Sequence, residues 1–363
     1  MKFGSECDFK LDYDVKLYRR KYYSPNEHNT LFNELIQLKR NSSLHGNILN
    51  DKVRRVFGSG FLSEDLKTQM LIKTKYNKIF YKCTADFELF GGTYIYIRWN
   101  VDHSNILVIK HVPFEKVRVG ADDMFYIKED WNGDVKPIVY PAFNIEQVTG
   151  GEQILFIKMY EPGSNDIYPI PSYFSGVTAI RTDINIAKYF DSTVRNNFGA
   201  NTILEVPAFE DVEKKSLFER TFKDRMTGPD NGGGILILYK TGDPENKITA
   251  NRINSDINAD TYLAVGSATT QRILNAHGVP SGLLYGIETA GSLGNSNEME
   301  MAETIYESTV IAPVRNILYE EFMMLNAFLL SPMAKDTYIE SISIITQNED
   351  LDNTTDTDVQ TKN

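Results

Sequence analysis

The stretch HGVPSGLLYG, residues 277–286, decides the fold of this chain. Apolar and small residues recur at helical spacing up to Ala276, so a long helix precedes it. Gly278 tolerates left-handed backbone and Pro280 lacks an amide hydrogen, and this pair is typical of a helix end. The sequence therefore predicts a helix that ends at the start of this stretch.

Downstream of this turn, the sequence predicts a loop and then a second long helix with an interruption. The helix runs from about Asn297 to Leu330 and carries the stretch IAPVRNIL, residues 311–318. Pro313 removes one backbone hydrogen bond there and predicts a kink near Thr309. The loop before it is small, polar and glycine-containing, and it consists of Thr289, Ala290, Gly291, Ser292, Leu293, Gly294, Asn295, Ser296 and Asn297.

A similar pattern occurs earlier in the chain. Pro169 and Pro171 end the preceding strand pattern, and apolar residues from Val177 to Phe198 then recur every three or four positions. Gly199 stands where this helix is expected to end. The sequence therefore predicts two long helices with the same kind of punctuation.

The segment between these two helices combines helix and strand. Residues 209–226 predict a helix with many charged side chains, and residues 235–239 predict an apolar strand after a glycine-rich turn at 228–234. Three glycines before a strand do not match a phosphate-binding loop, which follows a strand and opens a helix. The basic residues of the predicted helix form either a solvated face or a docking surface, and they are Lys214, Lys215, Arg220, Lys223 and Arg225.

The N-terminal half predicts one short amphipathic helix followed by a sheet. Leucines recur at helical spacing within residues 29–40. From Met70 onward, short β-branched or aromatic runs predict strands, with an Asn-Gly hairpin signal at residues 131–134. These runs cover residues 94–99, 106–110, 125–128 and 154–160. The expectation is a mixed sheet with flanking helices.

Composition and charge exclude several classes of function. The chain has 363 residues, 42% of them hydrophobic, and a formal net charge of -11. That charge opposes a protein that grips nucleic acid on a broad basic face, but it suits a conduit along which DNA slides. Two cysteines, Cys7 and Cys83, and five histidines show no metal-ligand spacing, so no metal and no cofactor are expected. Neither an N-terminal apolar leader nor a membrane-length apolar run is expected.

The order and spacing of these segments resemble the portal proteins of tailed bacteriophages. In that family a proline-led helix ends in an Asn-x-Gly-Ala type segment. A later Gly-Val-Pro-x-x-Leu-Leu-Gly type turn precedes a loop and a long helix with an internal Pro. The resemblance covers residues 168–330 of this chain. The matching residues are Asn197, Gly199 and Ala200, then Gly278, Val279, Pro280, Leu283, Leu284 and Gly286, then Pro313.

The resemblance implies an α+β portal fold with a mixed-sheet wing, a two-helix stem, a small α/β clip and a long kinked helix after a tunnel loop. It also implies that subunits form a ring. A full C-terminal crown is not expected, because residues 338–345 are typical of a strand. The implied parts are an N-terminal wing at 1–170, stem helix 1 at 171–199, the clip at 200–253, stem helix 2 at 254–280, the tunnel loop at 281–297, the long helix and C-terminal strand of the wing at 298–347, and a disordered acidic tail at 348–363.

The resemblance implies a function as well. Such a protein forms a ring, usually a dodecamer, at one capsid vertex of the virion after assembly in the host cytoplasm, and it is the channel for genome packaging and ejection. Its implied partners are further copies of itself, the terminase large subunit, a head-tail adaptor, the major capsid protein and double-stranded DNA contacted without sequence preference, with no membrane. Residues 289–297 would line the DNA channel, and the five basic residues of the clip would form its docking surface.

Two other functions stay open on the residues alone. Another head-tail adaptor or structural virion protein would share the ring and differ in position. An enzyme with a mixed sheet and a helical cap would need a pocket with convergent polar groups, and the sequence offers no nucleophile, base or oxyanion motif. The expectation is therefore a structural protein with no enzymatic activity.

Overall fold

The computed structural model of this chain divides into two compact units. The first consists of Met1–Val177 and Ile273–Asn363, and the second of Thr178–Arg272. The fold class is α+β, as the sequence predicts. The structure describes residues 15–18, 21–146, 148, 151–162, 166–195, 201–207, 211–213, 215–218, 220, 235–240, 249–253, 259–287, 296–329 and 338–339.

Two consecutive helices, α1 (Leu31–Asn41) and α2 (Ser43–Phe57), open the helical part of the first unit. The hydroxyl of Ser42 caps α2 by accepting a hydrogen bond from the amide of His45 at 3.3 Å. A Cβ at Gly46 would lie 2.5 Å from the carbonyl oxygen of Lys39, so a glycine is needed where α2 approaches α1. The sequence predicts only α1 in this region, and α2 is an addition.

A helical run from residue 66 to residue 90 corrects the prediction of strands from Met70 onward. It consists of α3 (Leu66–Leu71), a π-helical turn (Ile72–Tyr76) and α4 (Asn77–Phe90). Its aromatic residues favour strands by composition, but they recur at helical spacing and bury one face, which outweighs that preference. The buried face includes Tyr76, Phe80, Cys83 and Phe87.

The central sheet of the first unit is antiparallel and has the order β5–β4–β9. Its strands are β4 (Gly92–Trp99), β5 (Ile106–Val112) and β9 (Glu152–Lys158). The middle strand carries Tyr94, Ile95 and Ile97, which are fully buried. All three strands lie where the sequence predicts strands.

Three smaller antiparallel sheets complete the described strands of this unit, and two of them are the pairs β1–β2 and β3–β13. The third, β6–β7–β8, contains the hairpin that the Asn-Gly signal at 131–134 predicts. The strands are β1 (Lys16–Tyr18), β2 (Tyr22–Ser24), β3 (Phe61–Leu62), β6 (Val117–Val119), β7 (Met124–Ile127), β8 (Ile138–Pro141) and β13 (Tyr338–Ile339).

The sequence predicts a mixed sheet in this N-terminal region, and this prediction is wrong. Every ladder between the described strands of the first unit is antiparallel, and its described parallel pairs are the isolated bridges Ile106–Leu329 and Ala142–Ile154. The physical reason lies in the connections. Turns join β4 to β5, β6 to β7 and β7 to β8 and reverse the chain direction, whereas parallel neighbours need a crossover of a dozen or more residues.

The core of the first unit is rich in aromatic side chains. Phe114 is fully buried, and its ring centroid lies 4.7 Å from that of Phe90, 4.9 Å from Phe32 and 5.0 Å from Tyr94. These contacts join α1, α4 and β4 around one cluster. Such aromatic pairs add to the stability that burial of their area provides.

The second unit contains most of α5 (Val177–Arg195) and of α6 (Ala259–Ala276), with a three-stranded sheet between them in the sequence. Its strands are β10 (Asn201–Pro207), β11 (Ile235–Lys240) and β12 (Thr249–Ile253), in the order β11–β10–β12. β10 is parallel to β11 and antiparallel to β12, so this sheet is mixed. Residues 212, 213, 215–218 and 220 lie between β10 and β11 and are helical, as is usual for a crossover between parallel strands.

Candidate functional site

Helix α6 ends at Ala276, and a tight turn follows it. Gly278 has a φ of 69°, and its amide donates to the carbonyl of Asn275 at 3.0 Å. A Cβ at this position would lie 3.0 Å from Cγ2 of Val310. The backbone angle and the close contact both explain why a glycine occupies the position that the sequence marks as a helix end.

A 3₁₀ turn, Gly282–Tyr285, lies between this helix end and residues 289–297, within the range 281–297 that the resemblance gives to the tunnel loop. Pro280 precedes it, and the hydroxyl of Ser281 caps it by accepting a hydrogen bond from the amide of Leu283 at 3.3 Å. Gly286, with a φ of 68°, ends the turn. The backbone is therefore fixed up to the residues just before the predicted channel loop.

The predicted channel loop is only partly within the described residues. Thr289, Ala290, Gly291, Ser292, Leu293, Gly294 and Asn295 lie outside them, as does Gly199 of the earlier helix end. Ser296 and Asn297 are the first two residues of α7 (Ser296–Tyr306), so the helix begins one residue earlier than the sequence suggests. Glu298 lies in the first turn of α7, where the positive end of the helix dipole favours an acidic side chain.

A π-helical turn interrupts the long helix where the sequence predicts a kink. It spans Glu307–Ile311 and joins α7 to α8 (Ala312–Asn326). Pro313 cannot donate to the carbonyl of Thr309, and the wider turn accommodates its ring. The amide of Ala312 donates to the carbonyl of Glu307, five residues earlier. The expected distortion is present, and the helix resumes after it and ends at residue 326 instead of 330.

A buried ion pair lies beside this π turn. Nζ of Lys52 on α2 is 3.4 Å from Oε2 of Glu88 on α4, and both side chains are almost fully buried. Oε1 of Glu88 has no hydrogen-bond partner among the described residues. A cavity of about 210 Å³ adjoins the pair, and its wall includes Thr309 and Pro313. The charges of the pair compensate each other in a space where each alone would be costly.

Two buried histidines meet near the end of α6. Nδ1 of His45 lies 2.9 Å from Nε2 of His277, and Tyr173 contacts both rings. Burial, followed by the charges of Lys39 and Lys52, lowers the pKa of His45 to about 3. Burial also lowers the pKa of His277 well below its usual range, with Lys52 as the next cause. Both imidazoles are therefore neutral at pH 7.

Arg315 on α8 attaches the long helix to the end of α2. Its Nε donates to the carbonyl of Val56 at 3.1 Å, and a terminal nitrogen donates to the carbonyl of Arg55. These carbonyls belong to the last turn of α2, where helical partners are missing. The other terminal nitrogen binds the Glu307 carboxylate at 2.6 Å, so Arg315 also ties down the π turn.

The predicted docking surface is described at two of its five positions. Lys215 places its Nζ 4.5 Å from the ring centroid of Tyr239 on β11, which is a cation–π contact within the second unit. Arg220 is exposed. Lys214, Lys223 and Arg225 lie outside the described residues. Lys215 therefore contributes to packing of the helical residues on the sheet.

Helices α5 and α6 contact each other through aromatic side chains. The rings of Tyr189 and Tyr262 stack with centroids 4.8 Å apart, and Phe190 contacts Tyr262 at 5.5 Å. Tyr189 is 42% exposed and Leu263 is 68% exposed. These side chains leave aromatic and apolar groups of the second unit exposed.

The contacts described above are ion pairs, helix caps and aromatic contacts. The sequence predictions do not include the polar residues of α2 or their partners. The available signal was the occurrence of polar residues at positions of α2 that face the apolar core. The described residues contain no cluster of His, Cys, Asp and Glu that could hold a metal ion. Among the same residues, no helix has the length and hydropathy needed to cross a membrane.

Comparison with known proteins gives matches to solved structures alone. No family model and no curated protein matches the chain. A chain from the neck of an empty GTA particle, computed with C6 symmetry, matches at 13% identity over 86% of this chain and 85% of its own, with a TM-score of 0.54.

Two further structures agree with this match. A chain from the virion of a native gene transfer agent (GTA) particle matches at 12% identity, with a TM-score of 0.53 over 86% of this chain and 83% of its own. A chain from the neck of a native GTA particle, computed with C12 symmetry, matches at 13% identity, with a TM-score of 0.51 over 82% and 81%. Over most of its length, this chain therefore has the fold of a protein found in the necks of phage-like particles.

Proposed function

We propose that this chain is a portal-type subunit, which forms a ring of twelve copies at one capsid vertex and provides the channel for genome packaging and ejection. The observation that carries the proposal is the fold match to neck chains over 86% of this chain and 85% of the neck chain. The matched neck structures were computed with C6 and with C12 symmetry, which supports a ring, and the resemblance to portal proteins implies twelve copies. The protein would reside in the virion after assembly in the host cytoplasm.

The parts of the fold suit that role. Residues 1–170 and 298–347 would form the wing, the helices at 171–199 and 254–280 the stem, and residues 200–253 the clip. The exposed aromatic and apolar side chains of α5 and α6 would be covered by neighbouring copies, because a closed ring repeats one heterologous contact. The loop at 289–297 would line the channel with small polar groups that hold DNA weakly.

The proposed partners follow from these positions. The clip, with Arg220 exposed, would dock the terminase large subunit during packaging and a head-tail adaptor afterwards. The wing would contact the major capsid protein. Double-stranded DNA would pass without sequence readout, because the acidic chain lacks a broad basic face. We propose no enzymatic activity, since the site holds ion pairs and helix caps without a convergent catalytic set.

Another neck component, such as a head-tail adaptor, would share the fold comparison. The portal assignment is favoured over it by the small-residue segment that lies between a helix end at Gly278 and a long helix interrupted before Pro313. This arrangement is the part of the chain that resembles portal proteins. A channel loop held between two firm helical elements fits a subunit that surrounds DNA.

Deletion of residues 289–295 tests the proposal and spares Ser296, which begins α7. Subunits with this deletion should assemble rings, because the stem and wing are unchanged. Particles that contain these rings should package or retain less DNA. Sedimentation velocity measures the ring, and nuclease-protected DNA measures packaging. The matched control replaces the same seven residues by glycine and serine and keeps the length. Loss of the ring by a folded deletion variant would make this segment an assembly element and contradict the channel role.

A further inference from the structure

Two residues of α2, one helical turn apart, hold the elements on both sides of residues 288–295. Nε of Arg55 donates to Oδ2 of Asp51 at 2.6 Å, and another nitrogen of Arg55 donates to the Glu303 carboxylate on α7. The same Oδ2 of Asp51 accepts a hydrogen bond from the hydroxyl of Tyr285 at 3.0 Å. Tyr285 ends the 3₁₀ turn before the segment, and Glu303 lies on the helix after it.

These contacts lie in a largely buried setting. Arg55 and Glu303 are buried, and Tyr306, also buried, places its hydroxyl 3.4 Å from that of Tyr285. The guanidinium of Arg55 lies 5.6 Å from the ring centroid of Tyr306. Burial acts to lower the pKa of Arg55, but the hydrogen bonds to Glu303 and Asp51 outweigh it and raise that pKa. The arginine therefore stays charged and bound to both carboxylates.

We propose that Asp51 and Arg55 are positioning residues, which fix the 3₁₀ turn at Tyr285 and helix α7 at one spacing from each other. The inference rests on the proposed function for its biological meaning, because these two elements flank the proposed channel loop. If both flanks bind one turn of α2, the ends of the loop keep a constant separation while DNA passes. Each subunit of a ring would then present its loop at the same height.

Geometry favours positioning over a simple gain in stability. A buried ion pair adds little net stability compared with apolar side chains, because desolvation offsets the attraction. Its directional hydrogen bonds instead select one arrangement of the elements they join. The hydroxyl of Tyr285 donates one directional hydrogen bond to Asp51. Removal of this hydroxyl should therefore release one flank and leave the packing of the aromatic side chain intact.

Hydrogen–deuterium exchange of the purified full-length protein tests this inference. Tyr285→Phe should speed amide exchange in residues 282–287 by roughly tenfold, the effect of one lost hydrogen bond. Glu303→Gln should speed amide exchange in residues 296–306. Asp51→Ala should speed amide exchange in both of these segments, because it removes the acceptor for Tyr285 and the group that orients Arg55. Tyr160→Phe is the matched control, since Tyr160 is 75% exposed.

The pattern separates positioning from a general loss of stability. The inference predicts faster exchange in the named flank of each variant, with β4 and β5 unchanged. Equal acceleration of β4, β5 and both flanks would overturn it, and so would unchanged flanks in all three variants. Sedimentation of the same samples reports the oligomer independently. Flank-specific exchange in a protein that forms no ring would support the positioning role while contradicting the proposed function.

Discussion

Replacement of Lys52 by Met is expected to lower the free energy of unfolding by about 3–5 kcal/mol. The ammonium group lies 3.4 Å from the carboxylate of Glu88, and only 2% and 3% of the two side chains are exposed. Without Lys52, the carboxylate must either stay charged without its ion partner or take up a proton, and both cost free energy in a buried site. Urea unfolding at pH 7 measures the loss.

The double variant Lys52→Met with Glu88→Leu is the control for this result. It removes both charges and replaces them by apolar groups of similar size, so it should recover most of the lost stability. A double variant as unstable as Lys52→Met alone would contradict the account, because the loss would then come from packing. The cavity beside the pair leaves space for the new side chains.

Lys52→Met should also change how the free energy of unfolding depends on pH. The folded pKa of His45 is about 3, against 6.5 for an ordinary histidine. Below about pH 6.5 the unfolded chain takes up protons that the folded chain does not, so stability falls as the pH drops toward 3. Lys52→Met removes a positive neighbour of both histidines, raises their folded pKa values and should make this decline shallower. An unchanged slope would contradict the electrostatic role of Lys52.

Replacement of Arg315 by Ala is expected to cost about 3–5 kcal/mol in the free energy of unfolding. The guanidinium serves two carbonyls at the end of α2 and the carboxylate of Glu307 in the π turn. Its loss leaves the buried carbonyls of Val56 and Arg55 without their donor and the partly exposed Glu307 carboxylate without its ion partner, and an unsatisfied buried polar group is costly. Chemical denaturation measures the change.

Arg315→Lys is the matched control for this prediction. Lysine keeps the positive charge, but its single ammonium group cannot serve Val56, Arg55 and Glu307 in the planar geometry of a guanidinium. The loss should therefore lie between those of wild type and Arg315→Ala. A lysine variant as stable as wild type would show that charge alone is sufficient and that the helix-capping contacts are dispensable.

The sequence predicts those elements whose signals are local. The predicted strands at 94–99, 106–110, 125–128 and 154–160 alternate or cluster β-branched and aromatic residues, and each overlaps a strand of the structure. The distortion before Pro313 follows from the missing amide of one residue. The end of α6 before Gly278 needs only a left-handed backbone angle. Such features depend on a few neighbouring residues.

The run from residue 66 to residue 90 shows where local signals fail. Its aromatic and β-branched residues favour strands, and their helical spacing becomes decisive only when a core covers one face. Two π turns in the described helices add a residue to the local period and obscure the pattern further. Tertiary burial, which the sequence does not display, determines the outcome here.

The polar contacts around α2 are beyond local prediction for another reason. Arg55 and Glu303 are separated by 248 positions, and Arg315 and Val56 by 259. The local sequence around each residue does not identify its partner, because charged residues are common on the faces of helices. The fold alone brings them together, and the positioning role of Asp51 and Arg55 emerges only from that arrangement.

Electron microscopy of the purified full-length protein tests the central claim most directly. The account predicts closed rings with a central opening wide enough for duplex DNA and twelve-fold symmetry in end views. A population of separate monomers, or compact closed oligomers without a central opening, would contradict the portal assignment.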